Sequence, residues 1–240
     1  MPEFLIVIAL SLIAGMAMPA GALLAQQDQR HPDWLNHAWR HGIMAFGGGA
    51  LLSAVALVLV PEGAAQLSTG LVALSFAAGG ISFFLLDMYL SRHQSPAGQM
   101  AAMLSDFIPE AMALGAAFAV GEDTGILMAV LIVLQNVPEG FNAFEELAEH
   151  AHIPASKIIL AFTAMALLGP IAATAGYVWL PERLEILAVV MLFASGGILY
   201  LVFNDIAPQA KLEHTWVPAL GAVAGFLLGL VGQQLSSSAG

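Results

Sequence analysis

The sequence of 240 residues has no cysteine. That excludes disulfides, thiolate metal sites and a cysteine nucleophile, and leaves oxygen, imidazole and thioether as the metal donors on offer. Positive charge is scarce too, with six Lys and Arg against seventeen Asp and Glu and a formal net charge of -11. Phosphate binding needs clustered cations, so nucleic acid is excluded as a partner and a cation binder is favoured. Charged residues of all kinds make up 10% of the chain and hydrophobic ones 59%, whereas a soluble domain carries roughly 25% charged residues. With a mean hydropathy of +0.85 spread along the whole length, most of this chain has lipid as its solvent.

What is present is a series of eight apolar runs long enough to cross about 30 Å of hydrocarbon. They cover Phe4 to Ala25, Gly42 to Pro61, Leu67 to Leu90, Gln99 to Val120, Thr124 to Leu147, Ala155 to Leu180, Leu184 to Asp205 and Trp216 to Leu235. Short polar or Gly/Pro breaks separate them, so residues 1–240 read as one all-α integral membrane domain. Barrel strands are excluded because they alternate over about ten residues. The first run lacks a basic leader and exceeds the usual signal-peptide core of about 7–15 residues, and it reads as a retained membrane helix. Arg30, Arg40, Arg92, Lys157 and Lys211 fall in or beside odd-numbered loops and Arg183 alone in the sixth, which places both termini outside the cytoplasm. His31, His37, His41, His93, His150, His152 and His214 fall on the cytoplasmic side, where they read as solvated interfacial residues.

The first three runs resemble the last three. GMAMPAGAL (Gly15 to Leu23) aligns on its proline with LLGPIAATA (Leu167 to Ala175), and GALLSAVALVLVPEG (Gly49 to Gly63) aligns without gaps with GGILYLVFNDIAPQA (Gly196 to Ala210). GGISFFLL (Gly79 to Leu86) matches AVAGFLLG (Ala222 to Gly229) loosely. The two triplets start on opposite sides of the membrane, so the repeat is inverted, as in carriers that alternate access around a midplane site. The fourth and fifth runs, left between them, share a pattern of their own in DFIPEAMALG (Asp106 to Gly115) and QNVPEGFNAF (Gln135 to Phe144).

A carboxylate near the bilayer centre costs roughly 2.5–3.5 kcal/mol, and each Leu or Ile returns only about 0.3–0.6. Asp106, Glu110 and Glu139 therefore need a partner or a watery path. At ~1.5 Å per residue, Glu110 and Gln135 lie about 17 Å, and Asp106 and Glu139 about 10–12 Å, from the cytoplasmic ends of their helices. Residues four apart share a helix face, so Asp106 stacks with Glu110 and Gln135 with Glu139, and one cation between antiparallel neighbours meets all four. Asn136 reads equally as a ligand or as an interhelical hydrogen bonder. Pro109 and Pro138 each remove a backbone donor, and kinks there are expected to free the carbonyls of Ser105 and Leu134 toward the ion. Pro61-Glu62 and Pro181-Glu182 read instead as helix ends. Asp87, Asn142, Glu146, Asn204 and Asp205 are weaker candidates, the first as an interfacial residue and the last two as gate or cap residues.

In IAGMAMPAGALL (Ile13 to Leu24), FGGGALLSAVALVLVPEG (Phe46 to Gly63), the paired Pro-Glu motifs and ASGGILYLVFNDIAPQA (Ala194 to Ala210), the chain resembles ZIP (Zrt-, Irt-like) divalent metal-ion transporters. The resemblance implies eight transmembrane helices with both termini outside, two inverted three-helix repeats (helices 1–3 and 6–8) around a central helix 4/5 pair, and passage of divalent metal into the cytoplasm. Family members usually read His-Asn-x-Pro-Glu-Gly in helix 4 and a similar string in helix 5. Here Asp106 stands at the first histidine, Phe107 at the asparagine and Ala111 at the glycine, and Gln135 replaces a common histidine in helix 5. Gly169 occupies what resembles a carboxylate position in helix 6. With imidazoles and one carboxylate gone, an oxygen-rich site remains, which suits harder ions such as manganese better than zinc or iron.

The expected metal ligands are thus Asp106, Glu110, Gln135, Asn136 and Glu139, with no catalytic residue and no resident cofactor. The cargo is a divalent cation of the zinc, iron or manganese class. The other expected partners are the lipid bilayer and, as an open alternative, a second copy of the chain, in a bacterial inner membrane. The rival reading is a transport-inactive sensor or scaffold of the same fold. A membrane enzyme is disfavoured because no Ser or His lies beside the buried acids.

Overall fold

The computed structural model describes residues 2–30, 37–93, 96–120, 122–149, 153–179, 183–212 and 215–239. His31, His150, His152, His214 and the Pro181-Glu182 pair lie outside them. In lipid every backbone donor and acceptor must be satisfied within its own segment, which leaves the helix as the default state of long apolar runs. The elements are α1 (Pro2–Arg30), α2 (His37–Ala54), a π turn (Val55–Leu59), α3 (Val60–Ala65), α4 (Thr69–His93), α5 (Pro96–Val120) and α6 (Glu122–Glu149). There follow α7 (Ala155–Ala166), α8 (Leu168–Trp179), α9 (Leu184–Leu201), a second π turn (Val202–Ile206), α10 (Ala207–Ala210) and α11 (Val217–Ala239).

Among the described residues, seven helical stretches are long and apolar enough to cross a membrane, and the fourth of the eight expected runs contributes the shorter apolar helix Phe107–Phe118 within the 25-residue α5.

The irregular backbone also falls elsewhere than expected. α5 and α6 run unbroken through Pro109 and Pro138, whereas α2 and α9 each pass into a π turn. In these turns the Val60 N–H donates to the Val55 carbonyl and the Ala207 N–H to the Val202 carbonyl. Pro61 and Pro208 follow directly. Each lacks the N–H that an α ladder needs and crowds the carbonyl four residues back, and widening the preceding turn relieves both faults. Pro61 is therefore no helix end, since α3 continues to Ala65. The two π turns occupy equal positions in the gapless register of Gly49 to Gly63 on Gly196 to Ala210.

The main helix pairings are α1 with α6, α5 with α8, α2 with α11 and α4 with α9. Each is set by small residues that let backbones touch: a Cβ at Gly140 would strike the Met18 carbonyl, at Gly115 that of Ala173, at Gly49 that of Ala222, and at Gly79 that of Phe193. Two cores result. One joins α1, α5, α6, α7 and α8 around Met18, Phe107, Leu114, Phe144 and Phe162. The other packs α2, its π turn and α9 against the opposite face of α5 and α6, around Leu59, Ala113, Leu131, Met191 and Ile198. α5 and α6 thus lie between two helix groups, while α4 and α11 stand outermost with Leu74, Phe84, Leu227 and Val231 exposed.

Candidate metal site

α5 and α6 pack on each other and carry the polar residues buried midway along the bundle. Glu110 is 3% exposed, Gln135 2% and Asn136 1%. The Gln135 Nε2 donates to both carboxylate oxygens of Glu110, at 2.5 Å each. Asn136, the next residue on α6, turns toward α1, and its Nδ2 donates to the Ala14 carbonyl at 2.9 Å. It is thus an interhelical tie through its amide nitrogen. Two buried oxygens are left without a hydrogen-bond donor, Gln135 Oε1 and Asn136 Oδ1.

The surroundings of Glu110 are lopsided. Toward α2 there is a small cavity bounded by Glu110 and Gln135 and walled by Ala54, Val58, Leu59, Met128, Leu131 and Ile132. Val58 and Leu59 belong to the first π turn. Toward α1 and α8 the space is filled by the Phe107 ring, 1% exposed. A Cβ at Gly169 would lie 2.7 Å from Phe107 Cζ and 2.8 Å from the Ser11 carbonyl, and one at Gly15 would lie 3.0 Å from the same ring atom. Gly169 is thus a place where no side chain fits beside Phe107. Sequence flagged both positions but could not pair them, since α5, α8 and α1 meet only in the fold. The π-turn wall was also missed, although the Pro61 at its end was a legible sign of irregular backbone.

Glu139 is half-buried one turn beyond Gln135 on α6, beside Gly140, whose contact with Met18 fixes the α1–α6 approach. The Asp106 side chain lies outside the described residues. Among the described residues, no three His, Asp or Glu side chains gather closely enough to hold a metal.

Two further polar clusters lie toward the ends of the helices. Arg40 of α2 ion-pairs with Asp28 of α1 and, at 3.2 Å, with Glu145 of α6. Asp87 of α4 accepts from Tyr200 at 2.8 Å and from Asn204 at 3.2 Å, and Asn204 also donates to Asp205 at 2.7 Å. Asn204 and Asp205 sit in the second π turn, and α10 continues the helix beyond them. They are therefore not the helix end that sequence suggested.

What the centre offers a ligand is one buried carboxylate and two unengaged amide oxygens, hard donors all, with the Met128 thioether as the one soft atom among the described residues of the cavity wall. A buried carboxylate loses several kcal/mol of hydration, and two hydrogen bonds to it return about 1.5–3 kcal/mol each. A cation would complete the balance. No curated protein matches the chain. A family model described as ZIP Zinc transporter does match it, over residues 99–233, a stretch that begins just ahead of Glu110 and takes in α6 through most of α11. Seven apolar spans among the described residues, a carboxylate buried between the helices and that match over more than half the sequence make this chain a multi-pass membrane protein belonging to the ZIP zinc transporter family.

Proposed function

We propose that the protein is a carrier that moves one divalent cation at a time into the cytoplasm, through a midplane site between α5 and α6. Glu110 and Glu139 supply the charge, Gln135 and Asn136 turn their free oxygens to the ion, and Asp106 adds a carboxylate one turn from Glu110. The observation that carries this reading is the Glu110–Gln135 contact across two helices, with an orphaned amide oxygen beside it. In the empty carrier the Gln135 amide hydrogens stand where a cation would sit, and the ion takes their place.

The matching π turns and the matched pairings of α1 with α6 and α5 with α8 support an inverted repeat, with α5 as the eighth span and both termini outside an inner bacterial membrane. Phe107, wedged against Gly15 and Gly169, supports one ion rather than two. The all-oxygen donor set favours manganese-like ions over zinc.

The test is uptake into sealed vesicles together with thermal melting across a panel of divalent ions. Manganese is expected to raise the melting temperature and to enter the vesicles. Entry of zinc with none of manganese overturns the choice of ion. Normal uptake by Glu139→Ala removes that residue from the site. Saturable binding without uptake favours the sensor reading.

A further inference from the structure

The carrier reading leaves one charged cluster unused, at the end of the bundle where α1 stops, α2 starts and α6 stops. Arg40 sits in the first turns of α2 and holds Asp28 and Glu145 at once. Asp28 is fully buried, so this is unlike the solvated pairs that contribute almost nothing. A guanidinium presents a planar fork of donors that suits two carboxylates, as a lysine ammonium does not.

The placement of the cluster gives it a role. α1 packs on α5, α6, α7 and α8, and α2 on α11 and, less extensively, on α6. Asp28 therefore belongs to the group of helices around the first core and Arg40 to the other, while Glu145 stands on α6, which lies between them. Glu145 lies ten residues past Gln135 on the same helix, about 15 Å along the axis. The ion pairs thus span the seam between the two groups, beyond the site and toward the end of the bundle.

We propose that Arg40 is a clasp that closes this seam, and that a cation leaves by this end only when the guanidinium releases Asp28 and Glu145. The transport role rests on the carrier reading; the closure itself does not.

The absence of cysteine makes a single introduced thiol a clean reporter. Ala54 is buried in the cavity wall beside Glu110 and Gln135, so A54C reads access to the site. A membrane-impermeant thiosulfonate reagent is applied to either face of reconstituted vesicles holding A54C, A54C/R40K or A54C/D28N/R40M. The last variant removes both charges of the buried pair together. Labelling from the face where α1 stops and α2 starts is expected to rise on the order of tenfold in the D28N/R40M variant, and less in R40K, with no rise from the opposite face. Equal labelling in all three, or a rise from both faces, overturns the clasp. Should D28N/R40M not fold, A54C/E145Q removes the carboxylate of the 3.2 Å contact and keeps the Arg40–Asp28 pair, and a one-sided rise or its absence decides in the same way. Metal uptake into vesicles holding the protein without any substitution separates the two ideas. A one-sided change in labelling with no uptake by the unsubstituted protein sinks the carrier and keeps the clasp, and uptake with unchanged labelling does the reverse.

Discussion

Glu110 and Asp28 are both buried carboxylates held by a side chain from another helix, and the charge of that partner sets them apart. Asp28 meets the guanidinium of Arg40, and Glu110 meets the neutral amide of Gln135. A guanidinium supplies a full opposing charge, so Asp28 has its counter-charge within the protein and the pair can act as a joint. An amide supplies hydrogen bonds and no net charge, which under the proposed function makes Glu110 the carboxylate that receives a cation. Two buried carboxylates thus differ in the side chain that meets them, and burial alone does not distinguish the two.

That contrast is open to breaking. The largest expected effect is at the receptor end. Glu110→Gln keeps shape and removes charge, and should abolish uptake and any rise in melting temperature with manganese; retention of either would mean that the charge is not used. Next is the joint. Arg40→Met removes the guanidinium that ion-pairs with the buried Asp28 and should destabilise the protein by about 3–5 kcal/mol in chemical denaturation, most of it recovered by adding Asp28→Asn. A joint equal to the receptor in its tolerance would instead show no such recovery.

Smaller effects sharpen the comparison by isolating what positions each carboxylate. Gly140→Val pushes a side chain into the Met18 carbonyl and should cost roughly 1–3 kcal/mol by overpacking the α1–α6 contact that holds Glu139 in place. Asn136→Ala deletes the donor to the Ala14 carbonyl and should lower stability by about 1 kcal/mol in the metal-free protein. Least of all, Asp87→Asn changes a half-exposed carboxylate already served by Tyr200 and Asn204, and should shift stability by no more than about 0.5 kcal/mol with uptake unaltered.

Much of the fold was legible because lipid permits few alternatives. Eight apolar runs became helices near their expected bounds, and Glu110, Gln135 and Asn136 stood out as polar groups at the wrong depth for lipid. The prolines misled. Pro109 and Pro138 looked like the sites of broken backbone because they neighbour the acids, yet the π turns precede Pro61 and Pro208. A proline states that a donor is missing but not how its helix accommodates the loss. Packing against neighbours settles that. Asp28, Arg40 and Glu145 were invisible as a unit, since three charges on three separate runs carry no common spacing.

By itself, then, the sequence determined the solvent, the helical state and the depth of each polar group, because hydropathy and residue count are properties of a single run. Only the tertiary structure decided which oxygens meet, that Phe107 fills the space beside Gly15 and Gly169, and that one buried acid meets a guanidinium and another an amide. Those outcomes depend on the approach of helices far apart in the chain, set by where glycine backbones touch, and local sequence has no term for such distances.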